Sequence, residues 1–176
     1  SKDRDSTIIK ETNYVCGAAS FYRASLIMEI GFLDPKYFAY AEEDDLQHRV
    51  LSSGFKAVTI NTFCWVDDRK GYFPKFMASY LNIRNIIRYK LKNEGLATGL
   101  RKALGILIYT TKSSKSDGKG RFYERMRPFS PLKNFGIWLL ALGWNIINIV
   151  ETFKSRRKLF VQIKNGKKLF EKINIT

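Results

Sequence analysis

Apolar residues recur along this chain at spacings that change near residue 72. In residues 23–30, Leu26, Ile27 and Ile30 line one side of a short amphipathic helix that Gly31 should stop. Leu46 and Val50 lie four apart, acids crowd positions 42–45, and Gly54 follows. That pattern predicts a helix of about three turns with charge stabilising its N-terminus and glycine capping its C-terminus. Residues 55–64 (FKAVTINTFC) alternate and are rich in β-branched side chains, which predicts a strand. Residues 13–21 hold Cys16, Gly17, Ala18 and Ala19 and suit a buried strand entering a tight turn. Asp34 and Pro35 mark a turn, and the aromatic run from Tyr37 to Tyr40 is expected to be buried.

Beyond residue 72 the period is helical. Phe76, Tyr80, Ile83, Ile87 and Leu91 share a stripe that ends at Gly95, and residues 100–109 predict a second helix. Residues 110–121 (TTKSSKSDGKGR) are polar and glycine-containing, the pattern of a loop. An apolar helix is expected over about 133–153. Its polar residues Asn134, Asn145, Asn148 and Thr152 fall on one face, and the basic run KSRRK follows it. Its apolar core, residues 135–150, would extend about 24 Å as a helix, less than the ~20 residues that span a bilayer. It suits an interfacial helix on an anionic leaflet, or a buried or partner-facing one.

Charge sharpens this division. Residues 1–66 carry 7 Lys/Arg and 9 Asp/Glu, a net of −2, whereas residues 67–176 carry 24 and 7, a net of +17. An acidic pocket in the first part and a polyanion-facing surface in the second are expected. No nucleic-acid motif accompanies the basic region, so nucleic acid is not an expected partner. Cys16 and Cys64 lack metal or redox spacing and are expected to be reduced core residues. The N-terminus shows no signal-peptide pattern and lacks an initiator methionine, as a fragment or split half would.

Four consecutive carboxylates, Glu42, Glu43, Asp44 and Asp45, are the main candidates for chemistry. Acids at a helix start are each worth about 0.3–1 kcal/mol through the helix dipole. Asp45 and Arg49 are spaced for an ion pair along the helix. Packed acids also repel, which raises one member's pKa and builds a proton-transfer site. Either reading fits these residues alone.

The stretch from Tyr14 to Val58 resembles the acceptor-side half of family 2 glycosyltransferases with the GT-A fold. The likeness rests on the Gly17-Ala18 loop, then Gly31, Asp34 and Phe38, then the run Glu42, Glu43, Asp45, Leu46 and Arg49, then Gly54 before a strand. Tyr80, Arg84 and Asn85 resemble that family's tyrosine and Arg-Asn pair. The resemblance implies an α/β fold: a partial, Rossmann-like GT-A acceptor subdomain over residues 1–71, then a helical, basic, membrane-associated region over 72–176. It implies Glu43 as general base with Asp44 as substitute, Glu42 as a network carboxylate, and Gly17, Ala18, Asp45 and Arg49 around the substrate, Arg49 orienting the cluster. Gly17 and Ala18 could equally be small residues of a buried turn.

The implied activity is inverting transfer from a nucleotide diphosphate-sugar to a glycan- or lipid-linked hydroxyl at the cytoplasmic face of a membrane. A divalent metal, Mg or Mn, is implied, with ligands mostly in a nucleotide-binding half that this chain lacks. The chain would then need that half from a partner chain or a fusion. The alternative expectation is a non-catalytic, membrane-associated binding module. His48, Asp67 and Asp68 are expected to be ordinary surface or satisfied residues.

Overall fold

The computed structural model describes residues 9–15, 17–60, 73–111 and 128–174. They are mostly helical, with one two-stranded antiparallel sheet. Strand β1 (Ile9–Thr12) pairs with β2 (Ala57–Ile60) in the register Ile9 to Ile60 and Thr12 to Ala57. The predicted strand is thus confirmed over 57–60; residues 61–64, with Cys64, lie outside the described residues, as do Cys16, Asp67 and Asp68.

The chain divides into two compact units. The first comprises Ser1–Asp34, Glu42–Asp68 and Lys158–Thr176; the second comprises Pro35–Ala41 and Arg69–Arg157. In the first, helix α1 (Ala24–Ile30) ends at Gly31, whose φ of 74° is costly for any residue with a Cβ. Helix α2 (Glu42–Ser52) is followed by Gly54 at φ 92°. Leu26 and Ile30 of α1 pack on Leu46 and Val50 of α2, flanked by Tyr22, Ile27, Phe55 and Leu169. The strand expected at 13–21 is absent; residues 17–19 form a 3-10 turn instead. The physical cause is a long-range contact: the backbone of Val15 bonds to the side chain of Gln47 and is taken from any strand ladder.

Among its described residues, the second unit packs α-helices around one apolar core. Helix α3 (Lys75–Tyr89) passes into a π-helical turn (Lys90–Glu94) that stops at Gly95, followed by α4 (Leu96–Thr111) and α5 (Pro131–Ile147). Ile83, Ile87, Leu91, Ala103, Ile106, Ile137, Trp138 and Ala141 form the core. Thr110 and Thr111 belong to α4 rather than to the predicted loop; residues 112–121 lie outside the described residues.

The apolar helix expected over about 133–153 is interrupted. Asn148 has φ −96° and ψ 15°, and α5 meets α6 (Ile149–Asn174) at 65°. Asn148 Nδ2 donates to the Trp144 carbonyl at 2.8 Å, a local bond that competes with continued helix. Residues 149–157 of α6 belong to the second unit and 158–174 to the first. Among the described residues no single helix is long and apolar enough to cross a membrane.

Candidate active site

The chemistry-bearing acids sit on the first turn of α2. Glu42, Glu43 and Asp44 are half-buried, whereas Asp45 is fully buried. Burial lifts the Glu42 carboxyl above its usual range; a hydrogen bond from the helix-start backbone opposes it, and the Glu43 and Asp44 charges push further up. Glu42 and Glu43 also hydrogen-bond side chain to side chain. Asp44 is pushed up to about 6, first by burial and then by the charges of Glu43 and Asp45.

The second oxygens of this pair matter most. Glu42 Oε2 and Glu43 Oε2 are both buried and accept no hydrogen bond among the described residues. A buried acceptor left unpaired costs about 1–3 kcal/mol, so the fold gains nothing from either atom. The Tyr22 hydroxyl in the same unit is buried without a partner as well.

Gly17 lies directly against this pair. A methyl group there would stand 3.2 Å from Glu43 Cβ and 3.2 Å from Cγ. Gly17 and Glu43, expected around one substrate, are therefore brought together; Ala18 follows in the same turn. Gln47 holds the turn in place. Its Oε1 accepts from Val15 N–H at 2.8 Å, and its Nε2 donates back to the Val15 carbonyl. Sequence reasoning missed Gln47, although it stands four residues after Glu43 and thus on the same helix face.

Asp45 and Arg49 are differently employed. Arg49 Nη1 donates to the carbonyls of Ile30 (2.7 Å) and Gly31 (2.8 Å), and Nη2 donates to Phe32 (2.7 Å). Nη2 also meets Asp45 Oδ2 at 3.2 Å, with both side chains buried. The guanidinium thus caps the C-terminal carbonyls of α1 and neutralises Asp45. Of the four acids its bonds reach Asp45 alone, so the expected role of orienting Glu42 and Glu43 is replaced by joining α1 to α2.

No protein-family model matches this chain, nor does any curated protein or solved structure. The site must be argued from its own geometry. Among the described residues no group of three His, Cys, Asp or Glu side chains could hold a metal ion. The implied divalent metal therefore finds no ligand set in these residues, and no step is derived through it.

The second unit contains a contrasting polar arrangement, built from the Tyr80, Arg84 and Asn85 that the resemblance singled out. Residues 36–41 precede α2 in sequence and include three left-handed non-glycine residues, Phe38 (φ 66°), Tyr40 (φ 69°) and Ala41 (φ 68°). Each costs of order 1–3 kcal/mol unless its surroundings impose it. Asn85 Nδ2 lies within bonding distance of the carbonyls of Tyr37 (2.8 Å), Ala39 (2.6 Å) and Tyr40 (2.8 Å). Arg84 Nη2 donates to Lys36 (3.2 Å) and Tyr37 (2.6 Å), while its Nε donates to Asn85 Oδ1 at 2.8 Å. The Arg84 guanidinium also lies over the rings of Trp144 (4.4 Å) and Tyr80 (5.7 Å). Burial lowers its pKa, and a hydrogen bond to Tyr80 opposes that shift. The aromatic run is accordingly not buried throughout: Tyr37 is fully enclosed, but Phe38 is 72 % exposed.

Proposed function

We propose that this chain is the acceptor-side half of an inverting glycosyltransferase with a GT-A fold, working at the cytoplasmic face of a membrane. The observation that carries the reading is the half-buried Glu42–Glu43 pair, each with one oxygen unpaired among the described residues, and with the Glu43 stem packed against Gly17. In the reaction the acceptor hydroxyl oxygen bonds to the anomeric carbon as that carbon's bond to the diphosphate breaks. The hydroxyl proton passes to the Glu43 carboxylate, and the nucleoside diphosphate leaves from the opposite face. A carboxylate so placed supplies about 10²–10⁴-fold in rate. Glu42, whose carboxyl is lifted by burial and by its acidic neighbours, stands next to Glu43 as a network carboxylate. Gly17, which has no side chain, leaves room for a sugar ring to approach the backbone. Asp44, pushed up to about 6, stands beside the pair as a substitute base.

The nucleotide and any divalent metal would be held by a donor-binding half supplied in trans or by fusion. The test joins this chain to such a half and measures nucleoside diphosphate release with nucleotide-sugars and membrane acceptors. Transfer that is lost in Glu43→Gln, with the helical circular dichroism unchanged, is the expected result. Undiminished transfer removes Glu43 as base. If no half restores transfer although the membrane contact described next is present, the chain is a membrane-associated binding module instead.

A further inference from the structure

Helix α5 is apolar on its outer side as well as on its core side. Its polar side chains face the interior: Asn134 and Asn145 are buried, and so is Thr152 at the start of α6. Asn134 Nδ2 donates to the carbonyls of Thr110 and Phe129, and Asn145 Nδ2 donates to those of Arg84 and Ala141. Leu132, Phe135, Leu139, Leu140, Ile146 and Ile147 are turned outward instead, with Leu132 80 % and Ile147 83 % exposed. Helix α4 in the same unit adds a second strip: Leu96, Leu100, Leu104 and Ile108 follow one another at intervals of four, and each is more than half exposed. A helix solvated by water displays a polar face; α5 buries Ile137, Trp138 and Ala141 together with Asn134 and Asn145 and still turns an apolar strip outward. Exposed apolar surface on this scale marks a contact with something apolar.

We infer that the outer strips of α4 and α5 seat the protein on an anionic lipid surface, sinking to the level of the acyl-chain boundary without crossing. Charge selects this occupant. Neither α4 nor α5 contains an acid, and their charged residues are Arg101, Lys102 and Lys133. Lys154 and Arg157, in the same unit, are exposed on α6 shortly beyond the bend. Two copies of so basic a face repel, whereas anionic headgroups attract each cation by about 1 kcal/mol near the surface. With 17 residues, α5 extends roughly 25 Å and then turns by 65°, which suits lying in the interface. The inference deepens the proposed membrane location and is independent of the transfer chemistry, since lipid binding is measured without donor or acceptor.

The experiment is co-sedimentation of the full chain with phosphatidylcholine vesicles containing about 30 mol % phosphatidylglycerol. Binding is expected, weaker on phosphatidylcholine alone and weaker at about 0.5 M salt. The paired substitutions Leu139→Asp and Ile147→Asp should reduce it about tenfold or more, and so should Leu100→Asp with Leu104→Asp. Should either pair disturb the circular dichroism, the unaltered protein still decides: bromine on the acyl chains should quench the tryptophan fluorescence. Absence of vesicle binding overturns the inference, as does binding that is salt-sensitive yet unchanged by these substitutions and unquenched by bromine. A self-association abolished by the same substitutions, with no lipid binding, assigns the face to a second copy of the chain.

Discussion

Two groups of buried polar side chains frame residues 36–45, and they differ in one respect. Arg84 and Asn85 direct their donors to the carbonyls of residues 36–40, a segment whose left-handed residues would relax without them. Glu42 and Glu43 each retain one oxygen without a partner among the described residues. A satisfied network stabilises and specifies the backbone around it; an unsatisfied one costs stability. The first group is therefore structural, and the second is the one on which the proposed chemistry rests. Asp45 and Arg49, one helical turn from the unsatisfied pair, side with the structural group.

Substitutions should separate the groups by sign as well as size. The largest loss is expected from Asn85→Ala, which removes the Asn85 donor from the Ala39 and Tyr40 carbonyls and leaves Tyr37 to Arg84 and Ala39 N–H: about 3 kcal/mol or slightly more, measured by denaturant unfolding. An equally stable variant would show that residues 36–41 hold their own conformation. Arg49→Ala comes next at about 3 kcal/mol, because Asp45 is left charged and buried; adding Asp45→Ala should recover part of that loss.

Asp44→Asn should move the other way. Asp44 is raised from 3.8 to about 6 in the fold, so its ionised form is disfavoured there. Its contribution is greatest below about pH 4 and is lost as pH rises through about 6. The amide should thus stabilise the protein at pH 7 by about 1 kcal/mol, less than the whole shift implies because part of the carboxyl remains in water, and by nothing at pH 4. A loss of stability at pH 7 would class Asp44 with the structural acids. The smallest stability change, within about 0.5 kcal/mol, is expected for Gly17→Ala, since the Glu43 side chain must yield by only a few tenths of an ångström. In a complete transferase the same change should lower turnover by displacing Glu43.

Much of this was legible in the sequence where a pattern is local. Helix α2, its acidic start and Gly54 follow from spacing and composition, and α1 ends at Gly31 as the apolar stripe implies. The pairing of Asp45 with Arg49 follows from helix geometry, but the capping of α1 by that same arginine depends on a contact seventeen to nineteen residues away. Gln47 was missed for the same reason: its value comes from Val15, thirty-two residues earlier. Residues 36–41 were misjudged because burial of Tyr37 and exposure of Phe38 are set by left-handed backbone that hydrophobicity does not encode. In α5 the two faces were apparent, but which one turned inward depended on partners at Thr110, Phe129 and Arg84.

The central claim is that Glu42, beside Glu43, sits where its ionised form is disfavoured. Carbon NMR of the labelled side-chain carboxyls, followed from pH 3 to about pH 9, tests it most directly. Glu42 should titrate above the ordinary carboxylate range, held there first by burial, and fall part of the way back when Glu43→Gln removes a neighbouring charge. Titration of Glu42 and Asp44 as independent, freely solvated carboxyls would contradict it and leave α2 with no more than a charged helix start.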